Sequence, residues 1–132
     1  MLSTGDLRAL ARARLKDAGA LLSKGRFEGA AYLCGYAVEI ALKARIVKTL
    51  KWPGFPALAN EFSGLQSFRS HDLDMLLSLS GWEPKIRGKF LAEWSVVSDW
   101  DPESRYAPPG YVTPADARLM VDSAKLIVGA LV

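Results

Sequence analysis

An all-α fold, an antiparallel helical bundle of about four to five helices, is what this sequence predicts, on three observations. Apolar residues recur at helical spacing through most of the chain. No stretch alternates apolar and polar residues long enough to make a useful strand. Proline and most glycines punctuate the periodic segments, and there is no repeat, low-complexity tract or second-domain linker. The 132 residues suit a single domain, residues 1–132, large enough to bury roughly two thirds of its unfolded surface.

The first helix starts near Thr4 and Asp6, and Leu7, Leu10, Ala11, Leu15, Ala18 and Leu22 form its apolar stripe before Ser23-Lys24-Gly25 ends it. The second runs from about Arg26 to Leu50. Its stripe of Phe27, Ala30, Ala31, Cys34, Ala37, Val38, Ala41 and Leu42 is mostly small, which lets a neighbouring backbone approach closely. The tight connection at Gly25 favours an antiparallel hairpin of the two. Trp52-Pro53-Gly54-Phe55-Pro56 cannot continue a helix, because proline lacks the amide donor.

From Ala57 to Arg69 the pattern fits a short helix or an ordered loop. Ser70 is the expected cap of a compact helix through Leu73, Met75, Leu76, Leu77 and Leu79, closed by Gly81. Pro84 opens one further helix whose apolar face is Ile86, Phe90, Leu91, Trp94 and Val97, ended by Trp100-Asp101-Pro102. A polar and aromatic loop, Glu103 to Tyr111, follows. Thr113-Pro114-Ala115-Asp116 then starts the last helix with a capping threonine, a proline and a first-turn acid. Ala117, Met120, Ala124, Ile127, Val128 and Leu131 are its expected buried side.

Composition narrows the function classes. Half the residues are hydrophobic and 23% are charged, which is ordinary for a folded globular chain and wrong for a disordered one. The one cysteine, Cys34, cannot form an internal disulfide and reads as a core thiol, so a reducing, cytoplasmic setting is expected. The longest apolar run, Ala30 to Val38, is far short of a membrane span. With one histidine and one cysteine there is no recognisable zinc motif, and no Gly-rich loop ends in Lys-Ser or Lys-Thr, so neither a metal nor another cofactor is expected. The net charge of +3 is unevenly placed. Arg8, Arg12, Arg14, Lys16, Lys24 and Arg26 make the N-terminal part either an anion-gathering surface or solvated helix faces.

The segment that asks for a chemical reason is the second helix. There Glu39 and Lys43 stand one turn apart, acid first, in otherwise apolar surroundings. A buried carboxylate costs several kcal/mol unless it is paired and hydrogen-bonded. The pair therefore either fixes the helix internally or faces a shared cleft. His71, the only side chain with an ordinary pKa near neutrality, is the candidate acid or base, or else a partner of the helix start beside Ser70 and Asp72. Arg105 either holds a phosphate by its planar fork or bridges to Asp101 or Glu103. Tyr106 is either a loop anchor or a stacking platform.

In order along the chain, Ala37-Val38-Glu39-Ile40-Ala41-Leu42-Lys43, His71-Asp72-Leu73, Arg105-Tyr106 and the acid-initiated last helix resemble the HEPN family, the higher eukaryotes and prokaryotes nucleotide-binding domain. The resemblance spans nearly the whole chain. It implies a two-fold homodimer that engages nucleotide or RNA phosphates through Glu39, Lys43, His71, Asp72, Arg105 and Tyr106. It also implies a separately encoded minimal nucleotidyltransferase as partner, in a toxin and antitoxin type of pairing. Three departures stand beside it. Tyr36 replaces a frequent glutamine, Ala107 follows Arg105-Tyr106 where the family has proline, and no arginine stands with four to six residues between it and His71, the spacing that marks the family's ribonucleases, where Gly64, Leu65 and Gln66 lie instead. A metal-independent ribonuclease using His71 and Arg105 is thus the alternative to a binding module, and a purely structural dimeric scaffold is the third reading.

Overall fold

The computed structural model describes every residue from Met1 to Val132 and is all-helical. Six α-helices pack together: α1 (Thr4–Ser23), α2 (Phe27–Leu50), α3 (Leu73–Ser80), α4 (Glu83–Lys89), α5 (Leu91–Val97) and α6 (Pro114–Leu131). Short 3-10 turns at Ala59–Phe62, Gln66–Phe68 and Pro102–Tyr106 fill the connections.

The count rises to six because the segment after Pro84 is two helices, not one. Phe90 sits between them at φ −129°, ψ 38°, outside helical geometry. The break rotates the downstream face: Ile86, Trp94 and Val97 are buried as expected, whereas Leu91 is 57% exposed and Phe90 only half-buried. In α3, Met75 likewise faces outward, while Leu73, Leu76 and Leu77 are buried. Ser70 is not the cap of that helix. Asp72 Oδ1 accepts the Met75 N–H at 3.2 Å, and Ser70 Oγ accepts the Asp72 N–H at 2.9 Å, supporting the cap from one step back.

Helix α1 begins under a Ser3 cap, one residue before Thr4, and Leu10 lies at its exposed edge. Gly25, at φ +73°, makes the turn into α2. Helix α6 starts as its sequence directs, with Thr113 Oγ1 accepting the Asp116 N–H at 3.1 Å. All six of its expected core residues are buried.

Helix α2 is the hub, packed against α1, α3, α5, α6 and the Pro102–Tyr106 turn. Ala30, Ala37, Ala41 and Ala44, with Cys34, Val38, Leu42, Ile46 and Val47, are buried in one cluster that draws side chains from all six helices, while Ala31 and Phe27 of the expected stripe are only partly buried. The chain before α1 is held by Leu2, which exchanges backbone hydrogen bonds of 2.8 and 2.7 Å with Phe55 beyond the end of α2. No helix is long and apolar enough to cross a membrane.

Candidate functional site

Glu39 projects from the α2 face that meets the entry to α3, and only 4% of the residue is exposed. Both carboxylate oxygens have partners. Oε2 accepts from Lys43 Nζ at 3.1 Å, one helical turn on, and Oε1 accepts from His71 Nδ1 at 2.7 Å. Pairing of this kind is what allows a carboxylate to persist in the interior. A carboxylate only accepts, so Nδ1 carries the hydrogen and His71 is held in one tautomer with its Nε2 edge outward. The His71 side chain is 60% exposed, a solvent-reachable imidazole on a buried anchor. It makes no bond to the helix start, which Asp72 caps.

Arg105 reaches the same place from a distant part of the chain. An open cleft of about 720 Å³ is lined by Tyr36, His71, Asp72 and Arg105 together with the Asp99–Pro102 corner. What carries Arg105 there is Gly35. A Cβ on that residue would lie 2.1 Å from the Trp100 ring, so the indole rests directly on the α2 backbone. Its Nε1 donates to the Tyr32 carbonyl at 3.1 Å and its ring meets Tyr36 edge-on at 4.9 Å. The Asp101–Arg105 turn hangs from this contact. Asp101 Oδ1 accepts the Glu103 N–H at 2.9 Å and so shapes the turn.

The Arg105 guanidinium lies 3.7 Å from Glu103 and stacks 4.7 Å from the Tyr106 ring centre. The Tyr106 contact, then the charge of Glu103, holds its proton more tightly still, so it is a permanent cation. Tyr36 stays a neutral phenol. Its hydrogen bond to Tyr32, then burial and the charge of Glu39, push its pKa up to about 12.

The structure therefore joins Glu39, Lys43 and His71 directly and sets Arg105 and Asp72 on the cleft that His71 enters. Tyr106 goes elsewhere: it is 73% exposed and lines a separate cleft on the other side of Trp100, so it does not anchor the loop in the core. Gly35 and Trp100 are the positioning residues that sequence reasoning passed over, and Tyr36, noted there as a replacement for glutamine, is the residue on which Trp100 rests edge-on. A glycine inside a helix, where alanine is favoured by about 1 kcal/mol, was the available signal of a close approach.

The cleft is rich in acids, with Asp72, Asp74, Asp99, Asp101 and Glu103 facing one arginine and one histidine. Some are already engaged. Asp74 accepts from Trp94 Nε1 at 2.9 Å and Arg87 Nη2 at 3.0 Å, and no three acidic, His or Cys side chains converge as a metal site requires. Of the N-terminal cations, Arg14 pairs with Asp17 at 3.3 Å, while Arg8 joins Arg45 and Lys48 around a small notch. Burial, then the charge of Arg8, lowers the Arg45 pKa. Cys34 is fully buried, and loss of hydration pushes its pKa up to about 12, the behaviour of a core thiol. No family model, curated protein or solved structure matches the chain.

Proposed function

We propose that this chain is a HEPN-type binding module that holds a nucleotide, or the end of an RNA, in the cleft between His71 and Arg105. The observation that carries the reading is the buried Glu39 gripping both Lys43 and His71, because so much internal pairing serves to present one imidazole to solvent. Arg105 supplies a planar fork for a phosphate, and the outward Nε2 edge of His71 supplies a second polar contact. The acidic rim disfavours a long run of phosphates within the cleft. Its carboxylates instead accept from sugar hydroxyls and base amino groups, which suits a single nucleotide or a terminus better than a duplex. Longer RNA would be gathered by the cations of α1.

On the same reading the module is a cytoplasmic homodimer, and its partner is a minimal nucleotidyltransferase in a toxin and antitoxin type of pairing. A second reading, metal-independent RNA cleavage, is favoured by one feature: carboxylate-to-imidazole orientation is how a general base is held ready.

One experiment separates these. Nucleotide and short RNA binding is measured at low salt for the wild type, His71→Ala, Arg105→Ala and Glu39→Ala, with the same RNAs incubated in chelator and analysed for cleavage. We expect binding to weaken at least about tenfold in each variant, as loss of a charge-assisted hydrogen bond requires, while the RNA stays intact. Wild-type cleavage lost in His71→Ala would establish the enzyme instead. Absence of binding, with no nucleotidyltransferase copurifying from the native host, would leave the scaffold.

A further inference from the structure

Beyond Trp100 from the His71 cleft lies a second cavity of about 840 Å³, with a different character. Its floor is apolar, formed by Ala31, Val96, Val112 and Met120 from α2, α5, α6 and the loop before α6, with the exposed Leu119 at its edge. Tyr32, Trp100, Tyr106 and Tyr111 give it aromatic walls. Tyr106 and Tyr111 are 73% and 71% exposed; one face of Tyr106 takes the Arg105 guanidinium, whereas the Tyr111 ring stands at the mouth with no packing role to account for it. A volume of this order with an apolar floor is that of a small-molecule site.

Charge complementarity selects the ligand. Glu28, Asp99, Asp101, Glu103 and Asp116 line the cavity, and no lysine, arginine or histidine does. Glu28 holds the loop in place by accepting the Val112 N–H at 3.0 Å, and Asp101 shapes its own turn, whereas the carboxylates of Asp99 and Asp116 have no protein partner. Nowhere do three of the acids converge on a point, as a divalent cation would need. Carboxylates spread around an apolar, aromatic trough match cationic groups spaced along a hydrocarbon chain. Aromatic faces attract organic cations, and the floor takes the methylenes between them.

We propose that this cavity binds a linear aliphatic polyamine, with Asp99 and Asp116 pairing its ammonium groups and Tyr106 and Tyr111 covering them. The two sites share the Asp99–Asp101 corner and Glu103, but Asp116 and Tyr111 lie outside the His71 cleft and so report on this cavity alone.

The test is calorimetric titration of the full chain with spermidine, against magnesium chloride at matched ionic strength and against a short oligo-lysine peptide. Spermidine should bind saturably at one site. The Asp99→Asn/Asp116→Asn variant should weaken it at least about tenfold, the scale of one charge-assisted contact. Tyr111→Leu, which keeps apolar bulk but removes the π face, should weaken it about three- to tenfold. Circular dichroism checks each variant, and Tyr111, being exposed, gives a change that folding tolerates. Spermidine binding no stronger than that of magnesium, or unchanged in both variants, overturns the proposal. Tight binding of the peptide without spermidine overturns it in favour of a basic protein segment.

Discussion

Cys34 shows how one residue's surroundings become a property of the whole protein. The buried thiol ionises only near pH 12, against an ordinary value of 9.0. Above pH 9 the unfolded chain therefore releases a proton that the folded chain retains. Stability is fully present below 9 and falls progressively as pH rises toward 12. Tyr36, also raised to about 12, acts in the same direction over a slightly higher window. Denaturant midpoints measured between about pH 8 and 11 should fall for the wild type and fall less steeply for Cys34→Ala, even though that variant starts lower because of the cavity it leaves. An equally steep decline in the variant would mean that Cys34 is not the group responsible. The same burial leaves the native thiol inert to alkylation until the protein unfolds.

The helices differ in how far their own sequences explain them. Helix α6 carries its start signal and its whole buried face in its own residues. Helix α2 was recognisable by its small apolar stripe, and the partnered Glu39 follows from the burial of that stripe. The split at Phe90 was not legible, because Ile86, Phe90, Trp94 and Val97 keep helical spacing straight through it. Nor was the meeting of His71 with Arg105, which depends on a contact between Gly35 and Trp100 across 65 residues of sequence. That contact gives an element-scale prediction. Gly35→Ala raises helix propensity by about 1 kcal/mol, yet its methyl group would stand 2.1 Å from the Trp100 ring. Overpacking should dominate, with a net loss of about 2 kcal/mol and a melting temperature lower by roughly 6 °C. Nucleotide binding should fall as the Arg105 turn is displaced. Adding Trp100→Ala should remove part of the penalty, a non-additivity that a double-mutant cycle measures. A stabilised, fully binding Gly35→Ala would sink the argument.

At the scale of the molecule, the two clefts lie where the bundle is least tied together. Helices α1, α2 and α6 pack along their lengths, and α2 is buried on several sides. Each cleft has one side on these long helices, but the opposite side comes from the entry to the short α3 or from α5, and from the Asp101–Val112 connection, which is held mainly by Trp100 and by the bond from Val112 to Glu28. Few buried contacts and exposed hydrogen bonds place a segment at the low end of the local stability scale. Amide hydrogen exchange should therefore be fastest over residues 57–69 and 101–112, intermediate in α3 to α5, and slowest in the middle of α2, where opening requires global unfolding. Occupation of either cleft should slow exchange over 101–112, because that segment walls both, and leave α2 unchanged. A ligand at the His71 cleft should also protect the entry to α3, and one in the aromatic cavity the first turn of α6, so the pattern of protection identifies the cleft. If residues 101–112 exchange as slowly as α2 in the free protein, the clefts are rigid parts of the core. Ligand binding would then have no ordering step to complete.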